Sequence, residues 1–316
     1  MAISGGVDSL VAAALLKEAI GSKLHLLFID TGLLRNYDLS DLKNVIEKVK
    51  FKNFKVADKS ETFVKALKGI TDPEEKRKTI AKLYFKILEE EAKKLGKDLS
   101  GDRRIRYLGQ GTIYPDRIES AQPSKHADKI KSHHNVTLPS GLKLELIEPL
   151  AEFYKDEVRL IGKALGIPQD FLNRHPFPGP GLAIRILGEV TEERLNILKS
   201  VDEIFIEELK SSGLYNKEVS NKTSLRSSQS SDLKVGQALA ALFPVKSVGV
   251  MGDSRTYSYI VSLRCVDTVD FMTADWTKLP YDLLEKVSSR IVNEVRGVNR
   301  VVYDITQKPP ATIEYE

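Results

Sequence analysis

Short apolar runs alternate with longer amphipathic stretches through the first half of this chain, the rhythm of buried parallel strands and the helices that cover them. Leu24-His25-Leu26-Leu27-Phe28-Ile29 is the clearest run and ends in Asp30-Thr31-Gly32. Residues 54–58 predict a further strand and 61–68 a helix. Thr71-Asp72-Pro73-Glu74-Glu75 places proline in a first helical turn and opens a long amphipathic helix. Arg106-Tyr107-Leu108 leads into the turn Gly109-Gln110-Gly111-Thr112, and 142–150 predicts another strand. A helix opens at Tyr154-Lys155 and ends near Gly166.

Farther on the pattern changes. His175-Pro176-Phe177-Pro178-Gly179-Pro180-Gly181 excludes helix and central strand, and reads either as an interdomain linker or as a rigid wall with free amides. Beyond it come helices at 191–211 and 280–295, with strands at 245–250, 258–266 and 298–305. Residues 218–234 are poor in apolar side chains and read as a disordered surface insertion. Together the pattern predicts an α/β chain: a doubly wound, Rossmann-like parallel sheet over 1–173, then a smaller α+β domain over 174–316.

The candidate chemistry gathers at the amino-terminal Ser4-Gly5-Gly6-Val7-Asp8-Ser9, which precedes an unbroken apolar helix. Small residues let backbone N–H groups approach an anion, and the helix points its positive end at the same place. Ser4 and Ser9 add hydroxyls, and Asp8 adds a ligand for magnesium if the anion is a polyphosphate. No lysine follows the glycines, so this is not a Walker loop. Only Met1-Ala2-Ile3 precede it, so the preceding strand is expected to be a stub or to lack upstream chain.

Other candidates are more local. Asp30, Thr31 and Gly32 end a strand where a nucleotide lies in such sheets, although Asp30 serves equally well as a cap. Asp116 and Glu119 sit three apart and share a helix face, able to reach one magnesium or one lysine; an ordinary solvated turn explains them too. The polar stretch 121–141 carries Lys131, His133 and His134 and reads as a lid rather than a metal site. Lys155 stands at the unfavourable end of its helix dipole, which an anion or carboxylate would justify; a solvated helix-start lysine is the plainer reading.

Composition narrows the classes. The 316 residues are 41% hydrophobic and 29% charged, as in a soluble globular protein of two domains. A net charge of +4 is too small to argue for nucleic acid. No run is long enough to cross a bilayer, and a cytoplasmic address without membrane partners is expected. The one cysteine, Cys265, excludes an internal disulfide and reads as a buried filler.

The Ser4 to Ser9 string resembles the pyrophosphate-binding loop of the ATP pyrophosphatase superfamily, of adenine nucleotide alpha hydrolase-like fold. Further blocks make the likeness specific to the GMP synthetase family of the glutamine-hydrolysing type. They are residues 69–78, the Gly109 turn with Pro115-Asp116 and Glu119-Ser120, 131–135, 155–159, 175–181, 247–253, Tyr303-Asp304-Ile305 and 308–314. The resemblance implies ATP and Mg2+ as cofactors and amination of xanthosine 5′-phosphate (XMP) through an adenylyl intermediate. The loop residues Ser4, Gly5, Gly6, Val7, Asp8 and Ser9 would hold the outer phosphates, with Asp8 and Asp116 on magnesium.

Asp30, Thr31, Gly32, Gly109, Gln110, Gly111 and Thr112 would line the ATP site. Asp116, Glu119, Lys131, His133 and His134 would assemble on lid closure, with Lys155 and Asp156 beside the phosphates. Arg35, Pro178, Gly179, Pro180, Lys308, Thr312, Ile313 and Glu314 would bind XMP. A homodimer through the C-terminal domain is implied, as is ammonia from a glutamine amidotransferase domain or subunit that this sequence lacks. An NAD synthetase-like ligase and a non-catalytic nucleotide-binding module are the competing readings.

Overall fold

The computed structural model describes residues 1–98, 105–121, 144–215, 235–268 and 271–316. They fall into two compact units, one of residues 1–66 and 77–179, the other of 67–76 and 180–316. The sequence expectations for a lid over 121–141, apart from Ala121 itself, and for an insertion over 218–234 lie outside the described residues.

The first unit begins with β1 (Ala2–Ile3), α1 (Val7–Ile20), β2 (Leu26–Asp30), α2 (Asp38–Lys48), β3 (Phe54–Asp58) and α3 (Ser60–Ala66). The chain then continues through α4 (Pro73–Asp98), β4 (Tyr107–Gly109), α5 (Tyr114–Ala121), β5 (Glu145–Ile147), α6 (Lys155–Ala164) and α7 (Gln169–Leu172). Strands β1, β2 and β3 pair in parallel in that order, Ala2 with Leu27 and Ile29 with Ala57. A second parallel pair joins β4 to β5. The expected parallel α/β architecture is present, and the Ser4 loop follows the end of β1.

Helix α1 carries Leu10 to Ala14 with almost no exposure, so it runs through the core rather than over it. It packs with Ile3, Phe28 and Leu42, and with Val158 and Leu172. Gly162 on α6 permits a close approach: a Cβ there would lie 2.9 Å from Val11 Cγ2 and 2.7 Å from Leu172 Cδ2. That closeness lays the last turn of α6 against α1 at Val11.

The second unit holds α8 (Glu192–Ser211), β6 (Gln237–Met251), β7 (Ser254–Asp267), β8 (Asp275–Trp276), α9 (Tyr281–Glu294) and β9 (Val298–Tyr303). Thr191 caps α8, its Oγ1 accepting from Arg194 N at 3.2 Å. β6 and β7 form a long antiparallel hairpin, and β7 also pairs with β8 and, in parallel, with β9. Both hairpin strands exceed the expected 245–250 and 258–266. Residues 237–242 are alanine-rich and lack alternation, and Pro244 reads as a breaker, but it sits where the ladder slips register between Leu242 and Lys246.

Cys265 lies buried on β7 opposite Ala238, where burial pushes its thiol up to about 12. The native protein is therefore expected to consume no thiol reagent in a colorimetric assay at pH 8, and one equivalent per chain after denaturation.

Candidate active site

The loop between β1 and α1 turns on Gly5, whose φ of +81° is the left-handed region that glycine enters without strain. Two serines hold it in shape. Ser9 Oγ donates to Gly6 O at 2.9 Å and accepts from Ser4 N at 3.3 Å, and Gly6 N donates to Ser4 Oγ at 3.3 Å. Gly6 is the N-cap of α1 and offers no side chain to it. The N–H groups of the first turn thus have no partner within the helix and point at the loop mouth.

The Gly109 turn lies directly against this loop. A Cβ on Gly111 would stand 2.6 Å from Ser9 Cα, 2.7 Å from Ser9 N and 3.0 Å from Asp8 C. Gln110 N donates to Ile147 O at 2.9 Å, and the buried Thr112 donates from Oγ1 to Glu148 Oε1 at 2.5 Å. At the end of β2, Asp30 Oδ1 accepts from Gly32 N at 2.8 Å and Thr31 Oγ1 from Leu33 N at 3.3 Å. Asp30 and Thr31 therefore cap their own turn. Gly32, at φ +72°, passes so close to Ser60 that a Cβ would lie 2.6 Å from that residue's Cβ.

Three charged groups act on Asp8. Its Oδ1 is buried without a hydrogen-bond partner. Burial pushes its carboxyl above the ordinary carboxylate range; Lys155 and Arg159 pull it back, and Asp116 pushes it up further. Asp116 lies in the first turn of α5, its Oδ2 accepting from Ile113 N at 3.1 Å. Lys155 opens α6, where Glu157 Oε2 accepts from Tyr154 N at 2.8 Å. Its position against the helix dipole is answered by the carboxylate of Asp8.

Arg159 was not singled out in the sequence, though it stands one turn after Lys155 on the same helix face, the one signal that would have found it. Asp156 points elsewhere: it is 94% exposed, with Arg159 Nη1 at 3.6 Å. Glu119 lies in α5 a turn beyond Asp116, and its side chain is outside the described atoms. Lys131, His133 and His134 lie outside the described residues.

A buried carboxylate oxygen lacking a partner, with a second carboxylate beside it, fits a hard divalent cation. Among the described residues no cluster of three metal-ligating side chains occurs.

Arg35, nearly buried, stacks its guanidinium 4.9 Å from the Phe177 ring centroid, next to Pro178 and Gly179 at the end of the first unit. Pro180 begins the second unit and leads into the 3-10 turn Gly181–Arg185. In the tail, Lys308 Nζ donates to Phe271 O at 2.6 Å, and its main chain bridges Ala274. Ile313 is buried with Leu239 and Val266. Thr312 O accepts from Arg264 Nη2 at 3.0 Å. Glu314 takes two hydrogen bonds of 2.8 Å from the fully buried Arg185 and one of 2.7 Å from Gln237 Nε2.

Residues 1–129 match the family model described as NAD synthase, and residues 224–315 match that described as GMP synthase C terminal domain. Proteins named GMP synthase [glutamine-hydrolyzing] align along the whole chain. The one from Fusobacterium nucleatum is 53% identical over 100% of this chain and 57% of its own length. The one from Aquifex aeolicus is 53% identical with the same coverage. That from Chlorobium chlorochromatii is 51% identical over 99% of this chain and 56% of its own length. The chain thus spans little more than half the length of these curated relatives, and within that span it is similar to the GMP synthases from end to end.

Proposed function

We propose that this chain carries out the ATP-dependent amination of XMP to GMP, using ammonia delivered by a glutamine amidotransferase domain or subunit. The observation that carries this reading is the buried, unpartnered Asp8 oxygen at the amino end of α1, with Lys155 and Arg159 acting on the same carboxylate. In the first step the XMP 2-oxygen bonds to the α-phosphorus of ATP as the bond from that phosphorus to the leaving pyrophosphate breaks. In the second, ammonia bonds to C2 of the purine and AMP leaves with the oxygen.

The protein's contribution is positioning and charge stabilisation. The N–H groups of the Ser4 to Ser9 loop and the α1 terminus receive the β and γ phosphates. Lys155 and Arg159 offset the charge that grows on the departing pyrophosphate, and Gly109 to Thr112 bound the nucleotide side. Bound magnesium would neutralise phosphate charge between Asp8 and Asp116. XMP is assigned to Arg35, the Pro178-Gly179-Pro180 turn, and Lys308, Thr312, Ile313 and Glu314. Asp116, Glu119, Lys131, His133 and His134 are assigned to closure over the phosphates.

A cytoplasmic homodimer completes the reading. Val248, Val250 and Tyr257 on the β6–β7 hairpin are at least half exposed, an apolar surface suited to a second copy of this chain. The NAD synthase match over residues 1–129 favours deamido-NAD as the one competing substrate. Incubation with ATP, magnesium, ammonium and XMP is expected to yield equal amounts of pyrophosphate, AMP and GMP. Formation of ADP, or pyrophosphate only with deamido-NAD, would overturn the proposal; binding of both nucleotides without pyrophosphate would make the chain a binding module.

A further inference from the structure

Lys76 is fully buried although it lies in the first turn of α4, the positive end of the helix, where a cation is disfavoured. Its ammonium is satisfied by groups far along the chain: Ile186 O at 2.7 Å, Ala183 O at 3.3 Å and the carboxylate of Glu316. Glu316 in turn accepts from Gly188 N through Oε1 at 3.0 Å. A second tie fixes the same excursion of chain, Gly69 N donating to Glu189 Oε1 at 2.8 Å. The turn itself is held firmly, since Asp72 Oδ1 accepts from Glu75 N at 2.9 Å and Asp72 O from Lys76 N at 3.0 Å.

These contacts make one ammonium the joint between two separate segments. One is the 3-10 turn Gly181–Arg185 that follows Pro180, and the other is the tail that carries Thr312, Ile313 and Glu314. Arg185 lies in that turn and grips Glu314, so the Lys76 joint and the Arg185 joint brace the tail on either side of Tyr315. We propose that Lys76, through Glu316, is a positioning residue that sets the affinity of this tail for the purine monophosphate. It touches no substrate itself. The proposal rests on the reading that the tail binds XMP.

The test uses the full chain with added ammonium and the variants Lys76→Met and Glu316→Gln. Losing a buried charge-assisted hydrogen bond is expected to raise KM for XMP about tenfold in each variant, with kcat and KM for ATP within about twofold. Hydrogen exchange of residues 304–316 is expected to quicken in both. Glu316→Gln keeps the lysine in place and secures the result if Lys76→Met folds poorly. An unchanged KM for XMP in folded Glu316→Gln, or a uniform fall in kcat with no change in KM, would overturn the inference. If the wild type releases no pyrophosphate with XMP, the functional reading fails on its own. Tail exchange then still decides the clamp, and an unchanged rate in Glu316→Gln refutes it.

Discussion

Asp8→Ala is expected to lower XMP-dependent pyrophosphate release at least about a thousandfold, the scale of losing a principal electrostatic stabiliser of phosphoryl transfer. The same substitution is expected to leave the unliganded protein at least as stable as the wild type near neutral pH. The reason is that the charge of Asp8 is a burden in the absence of a ligand, with one oxygen buried and unpartnered. Its folded carboxyl holds the proton to higher pH than the unfolded chain does. Between the ordinary aspartate value and that raised value the folded state binds more protons, so Asp8 makes stability fall as pH rises through the interval.

The alanine variant lacks this term, and its melting temperature should decline less between pH 4 and pH 7 than that of the wild type. Retained turnover would remove Asp8 from the reaction. A large drop in melting temperature at pH 7 would mean that the carboxylate is structural.

Gly111→Ala tests the other side of the same cradle. The new methyl would meet Ser9 Cα and N at 2.6 and 2.7 Å, backbone in the first turn of α1 with no flexible end to give way. One of the two segments must move, at about 1–3 kcal/mol of stability. Whichever moves, the loop amides leave their positions, and kcat/KM for ATP should fall about a hundredfold, as small misplacements of reacting groups do. Gly96→Ala is the control: it lies within α4 with nothing within 4 Å of a Cβ. That variant should gain about 0.5–1 kcal/mol in helix stability and keep full activity. Equal activity of Gly111→Ala and wild type in steady-state assays would show that the Gly109 turn does not shape the phosphate site.

Much of the architecture was legible because local physics dictated it. The strand 54–58, the helix opening at Pro73 and the glycine turn entering α1 follow from burial periodicity, ring-fixed φ and absent side chains. The amino half of β6 was not legible, since its alanines gain their strand conformation from the sheet and from the helices packed on it. The end of β9 was overrun by two residues for a similar reason. Asp304 N still donates to Leu263 O on β7 at 2.9 Å, but its carboxylate accepts from Thr306 N at 2.9 Å and pairs with the buried Arg264 at 2.7 Å, which ends the strand there.

Within the candidate site the same division holds. Residue types and spacing alone identified the anion cradle, the carboxylate able to meet a cation, and the lysine oddly placed at the start of α6. They did so because backbone freedom, charge and helix polarity are properties of neighbours in the chain. Only the tertiary structure decided that Gly111 rests on Ser9, that Arg159 joins Lys155 around Asp8, and that Asp156 faces solvent. It alone placed Lys76 against Glu316, 240 residues away. Each depends on a buried contact between segments far apart in the sequence, and whether a charge is desolvated and what then satisfies it is settled only when those segments meet.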